Sequence, residues 1–282
     1  MKAITFHGVS DVRATDVADP KLVDATDVLV RITTSAVCGS DLHQYHGRGG
    51  GALVQTGAIM GHEFMGVIEE AGSAVGTVRV GDRVIVPFSV SCGQCEWCRR
   101  RLPTQCSTTG RAVFGGRFGH VWGGGQAERI RVPFADHLCE KVPAELTDDD
   151  ALFLGDILST GYVCAENGGI RPGDRVAVFG AGPVGLLAIQ SVRPGGTVSS
   201  VGVYVETSMG FPAREAFFKG LTLKMGICNA RNYMKPLLPL VQRRKLQPAR
   251  IVTHTLPLKD APRGYAIFDA KQDRAIKVML KP

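Results

Sequence analysis

Four cysteines stand close together in one short stretch of the sequence. They are Cys92, Cys95, Cys98 and Cys106, with the spacing C-x2-C-x2-C-x7-C. Four thiolates in one loop can enclose a single tetrahedral Zn²⁺ and leave no position open to water, as in structural zinc sites. An iron–sulfur cluster is the alternative for cysteines at two-residue spacing. We favour a structural zinc, because no other motif indicates electron transfer through a cluster.

A second group of metal-binding side chains comes from two separate segments. Cys38 is followed by Ser40, Asp41 and His43, and a Gly-His-Glu triplet occupies positions 61–63. A thiolate and an imidazole, with carboxylates nearby, can form a zinc site that keeps one position open to a substrate. Each of these residues alone is more often an ordinary packed side chain. The two segments therefore predict an open metal site only in combination.

Composition and charge limit the function classes. The chain has 282 residues, of which 44% are hydrophobic, and this size favours two domains. The formal charge of +7 comes from scattered basic residues rather than a nucleic-acid-binding patch. We find no run of about 20 apolar residues and no secretory signal, so we expect a cytoplasmic protein that binds neither membrane nor nucleic acid.

The cysteine content fits a reducing compartment, where stable disulfides are rare. Eight cysteines therefore indicate thiolate or metal chemistry. Cys139, Cys164 and Cys228 have no metal-spaced neighbour, and we predict that they are buried as small hydrophobic residues.

The first half of the chain, up to about residue 142, is predicted to be mostly β. Its β-branched runs at 27–34, 83–88 and 127–132 are separated by turn residues, which favours a curved antiparallel sheet or an open barrel. The glycine-rich stretch at 47–51 is predicted to be a flexible connector.

The second half has the pattern of a βαβ unit. A strand at 175–179 runs into a G-x-G-x-x-G turn, a helix at 186–192 and strands at 197–205 and 221–227. Such a turn suits the pyrophosphate of a dinucleotide, since glycines allow close approach and the helix N-terminus attracts negative charge. A helix at 234–245 is also predicted, although two prolines weaken it.

In combination and in this order, these motifs closely resemble zinc-dependent alcohol dehydrogenases of the medium-chain dehydrogenase/reductase superfamily. The resemblance implies an α/β and β fold. A GroES-like, β-rich catalytic domain would comprise residues 1–157 and 228–282, and a shortened Rossmann-type parallel sheet would comprise residues 158–227.

The resemblance implies that Cys38, His62 and Asp156 ligate a catalytic zinc, with Glu63 behind the metal and able to exchange with a ligand. Many members have a second cysteine where this chain has Asp156. That substitution resembles the formaldehyde-dehydrogenase-like branch, and a carboxylate is an acceptable zinc ligand. The alternative for Asp156 is an acid at a helix N-terminus.

Further roles follow from the same resemblance. Asp41 would orient His62, and Ser40 and His43 would relay the proton of an alcohol whose pKa is lowered by zinc. The alternative for His43 is an ordinary half-exposed histidine. Residues implied to contact the cofactor, which would be NAD or NADP, are Thr160, Gly180, Gly182, Pro183, Val184 and Gly185.

The chain departs from the family pattern after Gln190. The expected second strand, ending in an acidic residue that grips the adenosine ribose, does not follow. On the order of a hundred residues of a Rossmann unit are missing between Gln190 and Ser191, so cofactor affinity should fall and the choice between NAD and NADP cannot be read.

The sequence therefore predicts a zinc-dependent oxidoreductase with two Zn²⁺ per chain that exchanges a hydride between a small alcohol or aldehyde and a nicotinamide cofactor. The family forms homodimers or homotetramers. The alternative is a non-catalytic zinc-binding pseudoenzyme that has lost effective cofactor binding through an internal deletion.

Overall fold

The fold was analysed in a computed structural model that describes residues 1–48, 55–116, 122–171, 173, 197–203 and 222–282. The strands within these ranges are β1 (Lys2–Gly8), β2 (Asp11–Asp16), β3 (Val28–Val37), β4 (Glu63–Ala71), β5 (Arg83–Ile85), β6 (Arg129–Val132), β7 (Glu140–Lys141), β8 (Thr197–Ser200), β9 (Thr222–Met225), β10 (His254–Pro257) and β11 (Val278–Lys281). The α-helices are α1 (Asp41–Tyr45), α2 (Glu96–Arg99), α3 (Ala135–Leu138), α4 (Asp148–Ala151), α5 (Ile157–Asn167), α6 (Arg231–Gln242) and α7 (Ala261–Asp269).

Strand β3 is the centre of a seven-stranded sheet. Its sequence, VLVRITTSAV, is rich in β-branched residues, and nearly all of it is buried. On one side β3 pairs antiparallel with β4 along most of its length. The other side is shared by β6 near the beginning of β3 and by β11 near its end. The complete path is β10-β11-β3-β4-β5-β7, with β6 attached to β3.

The predicted β-rich first half is confirmed, with changes at the strand ends. All strand pairs among β1 to β7 are antiparallel. The run predicted at 27–34 continues to Val37, and the run predicted at 83–88 ends at Ile85. Beyond Ile85 the backbone leaves the ladder, because the Phe88 N–H donates to the Gly155 carbonyl instead (3.1 Å).

The strands predicted in the second half are shorter than expected. The strand predicted at 197–205 ends at Ser200, and the one predicted at 221–227 covers only Thr222–Met225. These two strands pair in parallel, as a βαβ arrangement requires. The predicted strand 175–179, the glycine turn 180–185, the helix 186–192 and most of the connector 47–51 lie outside the described residues.

Helix α6 forms in spite of its two internal prolines. It begins and ends three residues earlier than predicted. Pro236 and Pro239 lie on the solvent face, where water can satisfy the carbonyls that lose an N–H partner. Met234, Leu237 and Val241 form the buried face of α6. They pack in one hydrophobic cluster with residues of the seven-stranded sheet such as Ala36 and Met65. No helix within the described ranges is long and apolar enough to cross a membrane.

Helices α5 and α6 pack against each other, although about sixty residues separate them in the sequence. The rings of Tyr162 and Tyr233 lie 6.0 Å apart, and the Tyr233 hydroxyl donates to Glu166 (2.5 Å). Cys228, just before α6, packs near Val163 of α5. The segment after α5 and the segment before α6 therefore lie next to each other.

Two of the three isolated cysteines are buried as predicted. Cys139 and Cys228 have almost no exposed surface. The prediction is wrong for Cys164, which is half-buried on α5 with its sulfur 3.6 Å from the Ser199 carbonyl oxygen.

Candidate active site and metal centres

Strand register brings the two segments of the predicted open metal site together. Ala36 of β3 pairs with Glu63 of β4, so Cys38, just after β3, emerges beside His62, just before β4. Gly61 has φ +90, and a Cβ there would lie 2.4 Å from the Gln126 side chain. Only glycine fits this position, which explains the residue that precedes His62.

Asp156 reaches the same place from a distant part of the chain. The preceding Gly155 packs so tightly that a Cβ would lie 2.5 Å from the Val86 carbonyl oxygen. Asp156 occupies the N-cap position of α5, yet its side chain makes no capping hydrogen bond. One carboxylate oxygen, Oδ1, instead accepts from the Thr160 hydroxyl (3.1 Å). The side chain is thus held for the cluster and not for the helix end.

Four buried donors meet at this point. Ligand atoms of Cys38, His62, Glu63 and Asp156 all lie within 4.8 Å of one another. Asp156 Oδ2 is 3.8 Å from Cys38 Sγ and 3.2 Å from His62 Nε2. Sulfur, imidazole nitrogen and carboxylate oxygen are the donors that Zn²⁺ uses in proteins.

A chain of buried polar side chains orients His62. Its Nδ1 lies 3.1 Å from Asp41 Oδ1, which favours the tautomer with the proton on Nδ1 and a lone pair on Nε2. Asp41 Oδ2 accepts from the Cys38 backbone N–H (2.9 Å) and from Gln126 Nε2 (3.2 Å). The Tyr265 hydroxyl in turn donates to Gln126 Oε1 (2.9 Å). This arrangement presents His62 Nε2 to the cluster.

The electrostatics of the cluster favour a cation. Burial, and then the carboxylates of Glu63 and Asp156, raise the pKa of the Cys38 thiol. Burial acts against a charged His62 ring, but Asp41 and Cys38 raise the pKa of His62 well above its ordinary value. A buried thiol, imidazole and carboxylates in contact are unfavourable without positive charge between them. The donor set therefore fits a Zn²⁺ ion.

The proposed relay residues lie on the turn that follows Cys38. The Ser40 hydroxyl is 3.2 Å from His62 Nε2, on the side of the ring that faces the cluster. His43 lies in α1, and its backbone N–H donates to the Ser40 carbonyl (3.1 Å). Its Nδ1 is buried without a hydrogen-bond partner in the described part of the chain. The two residues share one turn, and no hydrogen bond joins their side chains.

Glu63 is bound by a lysine that the motif reasoning missed. Lys277, just before β11, places its ammonium 2.5 Å from Glu63 Oε1, and both side chains have no exposed surface. Gln126 and Tyr265 were missed as well. Lys277 carried a signal, since it is a lone charge in the apolar strand-like run Ala275–Leu280. Gln126 and Tyr265 are recognisable only from the fold.

The four-cysteine cluster is compact and local. Cys95 and Cys106 sulfurs lie 3.8 Å apart, which matches the edge of a tetrahedron with Zn–S bonds of about 2.3 Å. Backbone N–H groups of Gln94 and Cys95 donate to Cys92 Sγ (3.4 and 3.3 Å). The backbone N–H of Cys98 is the main cause that lowers the pKa of Cys95 to about 5. These features fit thiolates around a zinc ion.

Two side chains from the later part of the sequence, Asn229 and Arg231, hold the four-cysteine lobe (residues 92–106) in place. Asn229 Oδ1 accepts from both the backbone N–H (3.2 Å) and the hydroxyl (2.8 Å) of Thr104. Arg231 of α6 bonds to the His137 carbonyl and to Glu140 (3.2 Å). The His137 ring contacts the hydroxyl of Ser91, next to the first cysteine (3.0 Å). The lobe is thereby joined to α3 and α6.

Of the predicted cofactor residues, only Thr160 lies in the described part of the chain. It is buried on α5, where its hydroxyl bonds to Asp156. The residues Gly180, Gly182, Pro183, Val184 and Gly185 lie outside the described ranges.

Comparisons with known proteins agree with this geometry. The family model of the alcohol dehydrogenase GroES-like domain matches residues 24–144. A zinc-type alcohol dehydrogenase-like protein of Bacillus subtilis is 31% identical, with all of both chains covered. A glutathione-independent formaldehyde dehydrogenase of Pseudomonas aeruginosa is 36% identical over 77% of this chain and 57% of its own.

The structural comparison extends over the whole chain. The structure of an alcohol dehydrogenase from Thermus sp. ATN1 superposes with a TM-score of 0.89 at 35% identity, covering 100% of this chain and 99% of that one. The alignment with the B. subtilis protein spans 380 positions, 98 more than the 282 residues of this chain. A GroES-like domain, a Rossmann-like parallel pair of strands and zinc-binding donor sets occur together. This chain belongs to the zinc-type alcohol dehydrogenases of the medium-chain dehydrogenase/reductase superfamily.

Proposed function

We propose that this protein is a zinc-dependent oxidoreductase that transfers a hydride between a small alcohol or aldehyde and NAD or NADP. The observation that carries the proposal is the convergence of Cys38, His62 and Asp156, which come from three separate segments and meet in one buried cluster. Three protein ligands of these types are characteristic of zinc sites that keep a position open for catalysis.

In this proposal a bound Zn²⁺ supplies the Lewis acid that acidifies an alcohol, and the nicotinamide supplies the hydride acceptor. The protein's part is to hold the donors. Asp41 fixes the His62 ring, and Thr160 fixes Asp156. Because these supports are themselves buried and bonded, the donor geometry exists before any ligand binds.

A proton path starts at Ser40. Its hydroxyl lies next to His62 Nε2, where it can accept the proton of an alcohol in the fourth position. Burial, followed by the charges of Arg48 and His46, lowers the pKa of His43. The ring is then neutral near pH 7, and its Nδ1, which has no hydrogen-bond partner among the described residues, is available as the next acceptor.

The proposed substrate is a small aldehyde or its alcohol. Asp156 supports this choice. It stands at a ligand position where many family members have a cysteine, and this substitution resembles the formaldehyde-dehydrogenase-like branch. The similarity to the P. aeruginosa formaldehyde dehydrogenase points to the same substrate class. Two zinc ions per chain, one in each cluster, complete the proposed cofactors.

The cofactor would bind at the G-x-G-x-x-G sequence, through Gly180, Gly182, Pro183, Val184 and Gly185, with Thr160 near the nicotinamide. The 98 additional positions of the B. subtilis alignment support the inference of an internal deletion, which the sequence pattern places between Gln190 and Ser191. A chain that keeps the pyrophosphate turn but lacks the adenosine pocket should bind nicotinamide dinucleotides weakly. We therefore expect a high KM for cofactor.

The test is an assay of zinc-loaded protein with formaldehyde, other small aldehydes and their alcohols. Formation or loss of reduced nicotinamide is followed by absorbance at millimolar NAD or NADP, and cofactor binding is measured separately by calorimetry. We expect slow turnover that saturates only at high cofactor concentration. If a protein loaded with two zinc ions showed no turnover and no cofactor binding, the proposal would be contradicted.

A ligand exchange makes the assay specific to the site. Asp156→Asn weakens a ligand and should lower both zinc content and turnover, about 10² to 10³-fold for turnover. Asp156→Cys supplies the ligand that many relatives use and should retain the second zinc. If Asp156→Asn kept full activity, Asp156 would not be a zinc ligand.

A further inference from the structure

The donor cluster contains one protein ligand too many for an open zinc site. Cys38, His62, Glu63 and Asp156 all lie within ligand distance of one another. Four protein donors would close a tetrahedral site, as they do in structural zinc centres, whereas catalysis requires three donors and a free position. One of the two carboxylates must therefore stay off the metal.

The two carboxylates differ in their partners. Glu63 Oε1 bonds to the ammonium of Lys277 (2.5 Å), and neither side chain has any exposed surface. Asp156 has a neutral partner, the Thr160 hydroxyl, and within the described ranges its charged neighbour is His62. Within the described ranges, Glu63 is the carboxylate of the cluster that is paired with a permanent cation.

Lys277 is held rigidly in this position. Its ammonium also donates to the Val37 carbonyl (2.9 Å), one residue before Cys38, and lies 5.6 Å from the centre of the Phe153 ring. Register explains the placement, because Val278 of β11 pairs with Val37 of β3. Two acceptors and an aromatic face fix the charge where it neutralises Glu63.

We propose that Lys277 is a positioning residue that keeps the zinc site open by competing with the metal for Glu63. With Lys277 present, Cys38, His62 and Asp156 are the resident ligands, and the fourth position is free for substrate. A carboxylate paired with an ammonium donates more weakly to a metal, and its own ligation would break a buried ion pair. Without the ammonium, Glu63 Oε1 loses its cation and both oxygens lack a partner in the described part of the chain, so the buried charge of Glu63 is then best neutralised by ligating the metal. This inference rests on the proposed catalytic zinc site.

The experiment uses full-length protein with zinc in the four-cysteine cluster and Co²⁺ in the second cluster. Lys277→Met removes the charge at similar length, and Lys281→Met is the matched control on the same strand, with a half-exposed partner, Asp149. Co²⁺ absorption is recorded before and after imidazole is added. Zinc affinity of the second site is measured by chelator competition.

We expect the parent and Lys281→Met spectra to change with imidazole, because an open position accepts it. Lys277→Met should show no response and should bind zinc about 10-fold or more tightly, the scale typical of residues that support metal ligands. Weaker zinc binding with an unchanged imidazole response would overturn the proposal.

A second variant keeps the proposal testable if Lys277→Met does not fold. Glu63→Gln is combined with Lys277→Met, so that neither charge of the buried pair is left without its partner. The double variant should retain the parent's zinc affinity within about 3-fold and its imidazole response, because Glu63 is not a resident ligand in the proposal. Loss of metal or of the imidazole response in the double variant would show that Glu63 ligates the metal and would overturn the proposal. These readouts need neither turnover nor nicotinamide, so they are independent of the hydride-transfer assay.

Discussion

The two candidate metal-binding clusters of this protein are built in opposite ways. The four cysteines of the structural cluster lie within one short loop, and backbone N–H groups of the same loop bond to their sulfurs. The ligands of the candidate catalytic cluster come from segments 118 residues apart, and they are supported by side chains from elsewhere, such as Tyr265 and Lys277.

This difference predicts, for each cluster, whether the metal orders the protein or the protein fold orders the metal site. A loop with few buried side chains depends on its metal for its shape, as small zinc domains do. Asp41, Gln126 and the strand register hold the catalytic donors through contacts that contain no metal. We therefore expect zinc to order the first site and the fold to order the second, and the following changes test this contrast in order of their expected effect on stability.

Cys106→Ala should have the largest effect. Structural zinc contributes roughly 10 kcal/mol to the folding of small zinc domains, so loss of a ligand should lower the free energy of unfolding by several kcal/mol or cause aggregation. Zinc content and urea denaturation measure the change. Cys139→Ala, which removes a buried cysteine outside the cluster, is the control. An unfolding free energy within about 1 kcal/mol of the control would contradict the metal-dependent lobe.

Tyr265→Phe should act on the second cluster only. It leaves Gln126 Oε1 buried without its partner, which typically costs about 1–3 kcal/mol. Zinc in the second cluster should bind about 10-fold more weakly, because the support of Asp41 is loosened. Chelator competition and urea denaturation measure both effects. Tyr45→Phe, whose ring lies 5.4 Å from that of Tyr265, is the control. If zinc affinity fell equally at both clusters, the predicted contrast between them would be wrong.

Protonation of His137 should destabilise the contact between its ring and Ser91, which holds the four-cysteine lobe against α3. Burial, and then the charge of Arg231, lower the pKa of His137 to about 4 in the folded protein. The unfolded state takes up this proton near the ordinary value of about 6.5, so stability falls as the pH drops from about 6.5 toward 4 and is unaffected above that range.

His137→Asn should remove this pH dependence. Because the ring is partly exposed, we expect the parent to lose about 1 kcal/mol more than the variant between pH 7 and pH 5. Urea denaturation of both proteins at the two pH values isolates His137 from the other titrating groups. A parallel decline in parent and variant would show that the ring does not contribute.

Cys38→Ser should have the smallest effect on stability, although it removes a ligand. If the fold orders the second site, the parent and the variant should unfold within about 1 kcal/mol of each other when a mild chelator has emptied that site in both. Retention of a single zinc per chain confirms that the four-cysteine cluster is intact. A loss of several kcal/mol would mean that the second metal also organises its surroundings.

The same contrast explains what the sequence could predict. Four cysteines in one loop carry their geometry in their spacing, so the structural cluster was readable directly. Cys38 and His62 indicated an open metal site only in combination, and Asp156 joined them only through the family resemblance, because no spacing rule relates residues from distant segments of the chain. Gln126 and Tyr265 act through partners that only the tertiary fold defines. Strand ends were misplaced for a similar reason, since Phe88 bonds to Gly155 outside the sheet.

The contact between α5 and α6 has a consequence for how the chain tolerates changes in length. The segment between these helices leaves and re-enters at neighbouring points, where Tyr162 meets Tyr233. The entropy of closing such a loop grows only with the logarithm of its length, and doubling the length costs about 0.6 kcal/mol. A length difference of 98 positions within this segment would therefore change the closure free energy by about 1 kcal/mol or less. The residues of both candidate metal clusters lie outside the segment between these helices, so we expect changes in the length of that segment to leave both clusters in place.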